Sequence, residues 1–241
     1  VALFVLALGL VTSRGITTLD EAIHLDRALA WSRGEVCLSV EPGELWVPAR
    51  PVAGGLFYDA GDGLRAASPP GLSALALPLV AVVAFTTDAP LPLAALVRGS
   101  PIEAALPPLA RDARAALFSL IGPISAALAA LFLLLAARAL ELSPRAQRFA
   151  LAAFVLGSPM LVYAGTCWAQ LPLTAAMAFA LLQVCERERR PGLSATALGI
   201  ALASMIVLRF EAVLLALPFG VATWQTDRSF RKSPSRSMLR L

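Results

Sequence analysis

With 241 residues, 58% of them hydrophobic and only 15% charged, and a mean hydropathy of +0.75, the chain lies outside the usual composition of soluble domains, which carry about a quarter charged residues. The formal charge of +4 arises from basic residues in short clusters at the ends of apolar runs, a pattern that argues against a nucleic-acid partner. Cys37, Cys167 and Cys185 stand at unrelated spacings and supply neither a disulfide framework nor a metal motif.

Leu and Ala provide most of the apolar content, and the alternating segments of a barrel are missing. The fold class expected is therefore all-α: a polytopic membrane helix bundle of about seven spans, with a long first extracytoplasmic loop carrying an amphipathic interfacial helix. Residues 1–13 read as a first span that has lost its beginning, since a span needs about twenty apolar residues. Residues 14–70 read as the extracytoplasmic loop, 71–224 as membrane spans and 225–241 as a basic cytoplasmic tail. Charge orients the scheme. Residues 14–70 hold eight acids against five arginines, whereas the remainder beyond residue 70 holds fifteen basic residues against eight acids, and basic loops mark the cytoplasmic side.

Within the loop, Thr18 and Glu21 fit a capping box, as do Thr17 and Asp20. A helix is expected from about residue 19 to Arg33-Gly34, where glycine stops it. Leu19, Ala22, Ile23 and Ala30 make its apolar side. Asp20, His24, Arg27 and Trp31 make one polar stripe, directed to water or a pocket. An acidic pair in a first turn also serves cap and dipole chemistry, so spacing leaves both roles open for Asp20 and Glu21. The later loop gathers Pro42-Gly43, Gly54-Gly55, Trp46, Phe57 and Tyr58. Its aromatics suit either interfacial anchoring or stacking on a sugar, with Arg50 or Arg65 forked onto phosphate oxygens.

Further apolar runs follow at about 71–87, 115–137, 149–164, 167–185, 193–208 and 210–224. The basic joints 138–148 and 186–191 and the tail from Asp227 are expected in the cytoplasm. For this alternation to hold, the Pro-rich stretch 88–113 must cross or re-enter the membrane, or one orientation must change. Pro78, Pro123, Pro159, Pro172 and Pro218 predict kinks inside spans.

The order of these features resembles the GT-C superfamily of multi-pass glycosyltransferases, which includes protein O-mannosyltransferases and lipid A aminoarabinose transferases. The likeness rests on Asp20-Glu21 after the first apolar run, the amphipathic helix, Gly55-Leu56-Phe57-Tyr58-Asp59, and the entry Ser68-Pro69-Pro70-Gly71-Leu72. Arg138, Trp168 and Leu208-Arg209 match in layout. The resemblance implies transfer of a sugar from a polyprenyl-phosphate-linked donor at the outer face of a cell inner membrane. It makes Asp20 first, and Glu21 second, the catalytic base, and His24, Arg27, Arg50, Tyr58 and Arg65 candidates for substrate binding. No cofactor and no metal ligand is assigned, with a divalent-metal requirement left open. The partners expected are the lipid-linked donor and membrane lipid; the acceptor is open. Two other readings stand beside it. A transporter or permease would use Arg209 and Glu211 along a pathway, and a non-catalytic membrane subunit or inactive remnant would need no site.

Overall fold

The structure, a computed structural model, describes residues 2–13, 15–16, 18–40, 46–47, 50–51, 57–59, 61, 63–83, 93, 112–187 and 189–232. The expected Thr17–Asp20 cap, most of the 88–113 crossing, the Pro42-Gly43 and Gly54-Gly55 turns, and the tail beyond Lys232 lie outside the described residues.

Helix α1 (Ala2–Thr12) is followed by α2 (Leu19–Ser32), which begins where the capping box predicts. The Thr18 amide donates to Glu21 Oε2 at 3.0 Å, and the Glu21 amide donates to Thr18 Oγ1 at 3.3 Å. The helix ends at Gly34, in the left-handed region at φ 78°. The Gly34 amide reaches the Trp31 carbonyl and the Glu35 amide reaches the Ala30 carbonyl, closing the last turn. Two short antiparallel ribbons follow: β1 (Trp46–Val47) with β2 (Arg50–Pro51), and β3 (Phe57–Asp59) with β4 (Leu64–Ala66), where Tyr58 pairs with Arg65.

The remaining helices are α3 (Gly71–Val80), α4 (Ala113–Ser119), α5 (Ile121–Ala139), α6 (Pro144–Gly157), α7 (Met160–Ala164), α8 (Gln170–Glu186), α9 (Pro191–Leu208) and α10 (Val213–Lys232). They fall close to the predicted apolar runs. Helix α5 is the centre, packed against α1, α6, α7 and α8, while α9 lies along α8. Two of the buried apolar clusters carry the packing. One joins α2, α3 and α4 through Leu25, Leu29, Leu72, Ala76 and Phe118. The other joins α1, α5, α6 and α7 through Val5, Ala126, Val155 and Met160.

Two expectations are corrected here. The seven-span bundle fails on length: among the described residues only Ala113–Ala139, formed by α4 and α5 end to end, is both long and apolar enough to cross a membrane. Its 27 residues rise about 40 Å, whereas apolar helices of 10–17 residues rise only about 15–26 Å. Breaks at Ser158-Pro159 and at Arg209 cut the other runs short. The interfacial helix fails on burial. Residues 21–30 of α2 are buried without exception, so the helix has no water-facing stripe over that length. Its polar groups are covered because each finds a partner far along the chain. Ser39 donates its amide (2.8 Å) and its hydroxyl (2.6 Å) to Asp26, and the Cys167 amide donates to Glu21 Oε1 at 2.7 Å. Such pairing offsets the desolvation that would otherwise keep these side chains at the surface.

Candidate functional site

Where the start of α2 meets the end of α9, the surface opens into a cleft of about 330 Å³. Thr18, Asp20 and His24 form one wall, Ser68 and Pro69 a second, and Trp168, Ala169 and Gln170 a third. Leu208, Arg209 and Glu211 close it. Glycines bring these pieces together. A β-carbon on Gly71 would lie 2.7 Å from the Val207 carbonyl and 2.8 Å from the Leu208 backbone, so only glycine lets α3 meet the end of α9 this closely. On Gly122 it would lie 2.3 Å from the Thr166 carbonyl, just before the Cys167-Trp168 corner.

Asp20 occupies the second helical position of α2, next to the Glu21 amide that the Thr18 hydroxyl caps, and is half-exposed at the cleft. Partial burial raises its pKa, and the Glu21 carboxylate adds to the rise; Arg209 and Arg27 oppose it. His24 is one turn further along the same face and only 4% exposed. Its Nε2 stands 3.7 Å from Asp20 Oδ1, too long for a hydrogen bond in this state. Its Nδ1 lies 3.0 Å from Ser73 Oγ and 3.0 Å from Arg27 Nη2. Burial, helped by the Arg27 cation, lowers the imidazole pKa to about 3.

Arg27 is buried behind the wall. Its Nη1 donates to the Ser68 carbonyl (2.8 Å), its Nη2 to Ser68 Oγ (3.0 Å) and the Pro69 carbonyl (2.9 Å), and its Nε to Ser73 Oγ (2.9 Å). The guanidinium also lies 5.6 Å from the centre of the Trp31 ring. It thus fastens the Ser68–Ser73 turn onto α2 from inside. Glu21 is fully buried between the Thr18 cap and the Cys167 amide, tying α2 to the corner that carries Trp168. Trp168 packs against Tyr163 with ring centres 5.6 Å apart and the planes tilted by 38°.

Of the residues singled out in the sequence, the structure therefore brings Asp20 and His24 into the cleft, and places Glu21 and Arg27 behind it as ties. Arg65 is half-buried on β4 and is not among the residues lining the cleft. Arg50 and Tyr58 lie on strands β2 and β3, but their side chains lie outside the described residues. Arg209, which the sequence offers as a transport candidate and a layout match, emerges as the cation on the cleft wall. It is part-exposed, with Nε 3.5 Å from Glu211 Oε2. The available signal is that Arg209 and Glu211 interrupt an otherwise uncharged stretch from Leu193 to Ala222. Trp168 is likewise a layout match, whereas Ser73 and Gln170 carry no comparable signal. Among the described residues no group of three His, Cys, Asp or Glu side chains converges on a point where a metal ion would sit.

Compared with protein-family models, curated proteins and solved structures, the chain matches none.

Proposed function

We propose that the protein is a membrane-seated glycosyltransferase that moves a sugar from a polyprenyl-phosphate-linked donor to an acceptor hydroxyl or amine. The observation that carries this reading is the pairing of Asp20 with Arg209 across one cleft. A carboxylate beside a cation is what displacement of a sugar phosphate requires. Asp20 takes the acceptor proton as the acceptor atom bonds to the anomeric carbon. The carbon–oxygen bond to phosphate breaks, the polyprenyl phosphate leaves with the bonding pair, and Arg209 meets the charge it carries away. Glu21, in its buried cap, holds the first turn of α2 in place. The apolar surfaces of Pro69, Trp168 and Leu208 suit a sugar face and the start of a lipid chain.

Seating in a bilayer is supported by the long Ala113–Ala139 helix together with outward-facing apolar side chains on the helices around it. Leu3 and Phe4 on α1, Phe149 and Leu156 on α6, Ile200 on α9, and Leu214 and Leu217 on α10 are all exposed. The two ends of the helices differ in charge. Arg138, Arg145, Arg189 and Arg190 are exposed at the end of α5, the start of α6 and the α8–α9 turn, with Arg189 3.4 Å from Glu141. The cleft lies toward the opposite end of the long helix, where Gly122 at the start of α5 meets the Cys167-Trp168 corner. By the bias of basic residues to the cytoplasmic side, the cleft opens at the outer face of the inner membrane.

The test is transfer in proteoliposomes from a polyprenyl-phosphate sugar to a panel of hydroxyl and amine acceptors, with wild type beside Arg209→Gln. Turnover by wild type, with a roughly tenfold to hundredfold loss of kcat/KM in the variant, supports the reading. Solute accumulating inside the vesicles with no transferred sugar would overturn it in favour of transport.

A further inference from the structure

His24 has the features of a catalytic acid or base, yet its surroundings deny it that work. It is the sole histidine of the chain and is buried among donors. Arg27 Nη2, at 3.0 Å from Nδ1, has two hydrogens shared among Ser68 Oγ, the Pro69 carbonyl and Nδ1, and no lone pair to accept with. A hydrogen on Nδ1 would be pressed against that cation, so the geometry favours a bare, accepting Nδ1. The Ser73 hydroxyl accepts from Arg27 Nε, leaving its own hydrogen for the same Nδ1. A neutral imidazole with a bare Nδ1 carries its proton on Nε2, and Nε2 is the atom facing Asp20.

We propose that His24 is a positioning residue: its ring is locked by Arg27 and Ser73 with the proton on Nε2, and it presents that proton to Asp20 Oδ1, leaving Oδ2 for the acceptor. The inference rests on the reading of Asp20 as the base. Asp20 is half-exposed, so a small side-chain rotation shortens the 3.7 Å separation to hydrogen-bonding distance, as catalytic contacts often tighten when substrate binds. The contact favours the charged carboxylate, countering the burial and the Glu21 charge that push Asp20 toward its neutral form. The charged groups around the pair are Glu21 and Arg27 on α2 and Arg209 with Glu211 at the α9–α10 joint. Of these, only Arg27 touches the imidazole and fixes its tautomer.

Because one histidine is present, the ¹⁵N spectrum of histidine-labelled protein reads His24 alone. The spectrum is expected to show one protonated nitrogen, Nε2, from about pH 8 down to about pH 5. A proton on Nδ1, or a doubly protonated ring near pH 6.5, would overturn the proposal. The second arm follows the carboxyl of Asp20 by ¹³C titration in wild type, His24→Leu and His24→Gln, alongside the pH profile of transfer. In His24→Leu the Asp20 titration and the acid limb of kcat are expected to move up by about one pH unit, with kcat down about tenfold. KM for the lipid-linked sugar stays unchanged. Glutamine, whose amide nitrogen replaces Nε2–H, restores both. An Asp20 titration unmoved by leucine in a folded variant overturns the pairing. If no form transfers sugar, the catalytic reading fails, while the two spectroscopic titrations still decide the Asp20–His24 pair.

Discussion

Helices α2 and α10 invert each other. Helix α2 carries Asp20, Glu21, His24, Asp26 and Arg27 within eight residues, yet all of residues 21–30 are buried. Helix α10 begins Val-Leu-Leu-Ala-Leu, yet Val213, Leu214, Leu215 and Leu217 are exposed. In water the arrangement would be costly at both places. Under the proposed seating in a bilayer, the outer surface meets lipid and the polar residues satisfy one another inside. The difference teaches that polarity in this chain marks where distant segments are tied together, and apolarity marks both core and outer face. The cleft is the place where the buried polar system reaches the surface.

Breaking the α2 system gives the largest expected effects on stability. Arg27→Met keeps the length of the side chain but leaves the Ser68 and Pro69 carbonyls and the Ser73 hydroxyl short of donors. Each buried acceptor left unpaired costs about 1–3 kcal/mol, to be measured by reversible denaturation in detergent. The pH dependence sharpens the same point. The His24 pKa is depressed from 6.5 to about 3, so below pH 6.5 the unfolded chain binds a proton that the folded chain refuses. Folding stability is present above pH 6.5 and is lost as pH falls toward about 3, by on the order of 5 kcal/mol. The raised pKa values of Asp20 and Asp26, both owed first to burial, act in the opposite direction. Their contribution favours the fold as pH falls through their folded pKa values. Unfolding midpoints of wild type and His24→Gln across the acid range separate the two, since the glutamine variant keeps only the carboxylate part.

The smallest effect belongs to the outer face. Ile200→Ser on α9 removes an exposed apolar side chain and is expected to change stability in detergent by less than about 0.5 kcal/mol. A core-sized loss there would mean that this face is covered by protein instead of lipid.

The sequence disclosed what depends on neighbours. The Thr18–Glu21 box, the glycine stop at Gly34 and the rough positions of the apolar helices all follow from spacing and punctuation a few residues apart. The burial of α2 was hidden because its partners Ser39, Ser68, Ser73 and Cys167 lie 13 to 146 positions away. An amphipathic period shows that a helix has two faces, without showing that both are covered. Helix length was overread for a related reason. Hydropathy runs through Ser158-Pro159 and across Arg209, whereas the backbone breaks at both. The cleft itself divided in the same way: Asp20 and His24 were visible as one stripe, but Arg209 joins them only through the close approach of Gly71 to Leu208.

The central claim is that Asp20, alone among the acids of α2 in reaching the cleft, removes the acceptor proton. Sugar transfer by purified Asp20→Asn protein in proteoliposomes tests it most directly, with Glu21→Gln measured beside it and folding checked by thermal unfolding. The account predicts a folded Asp20→Asn protein whose kcat falls by about 10²–10⁴-fold, while Glu21→Gln loses stability before it loses chemistry. A folded Asp20→Asn protein that transfers sugar at the wild-type rate would contradict it.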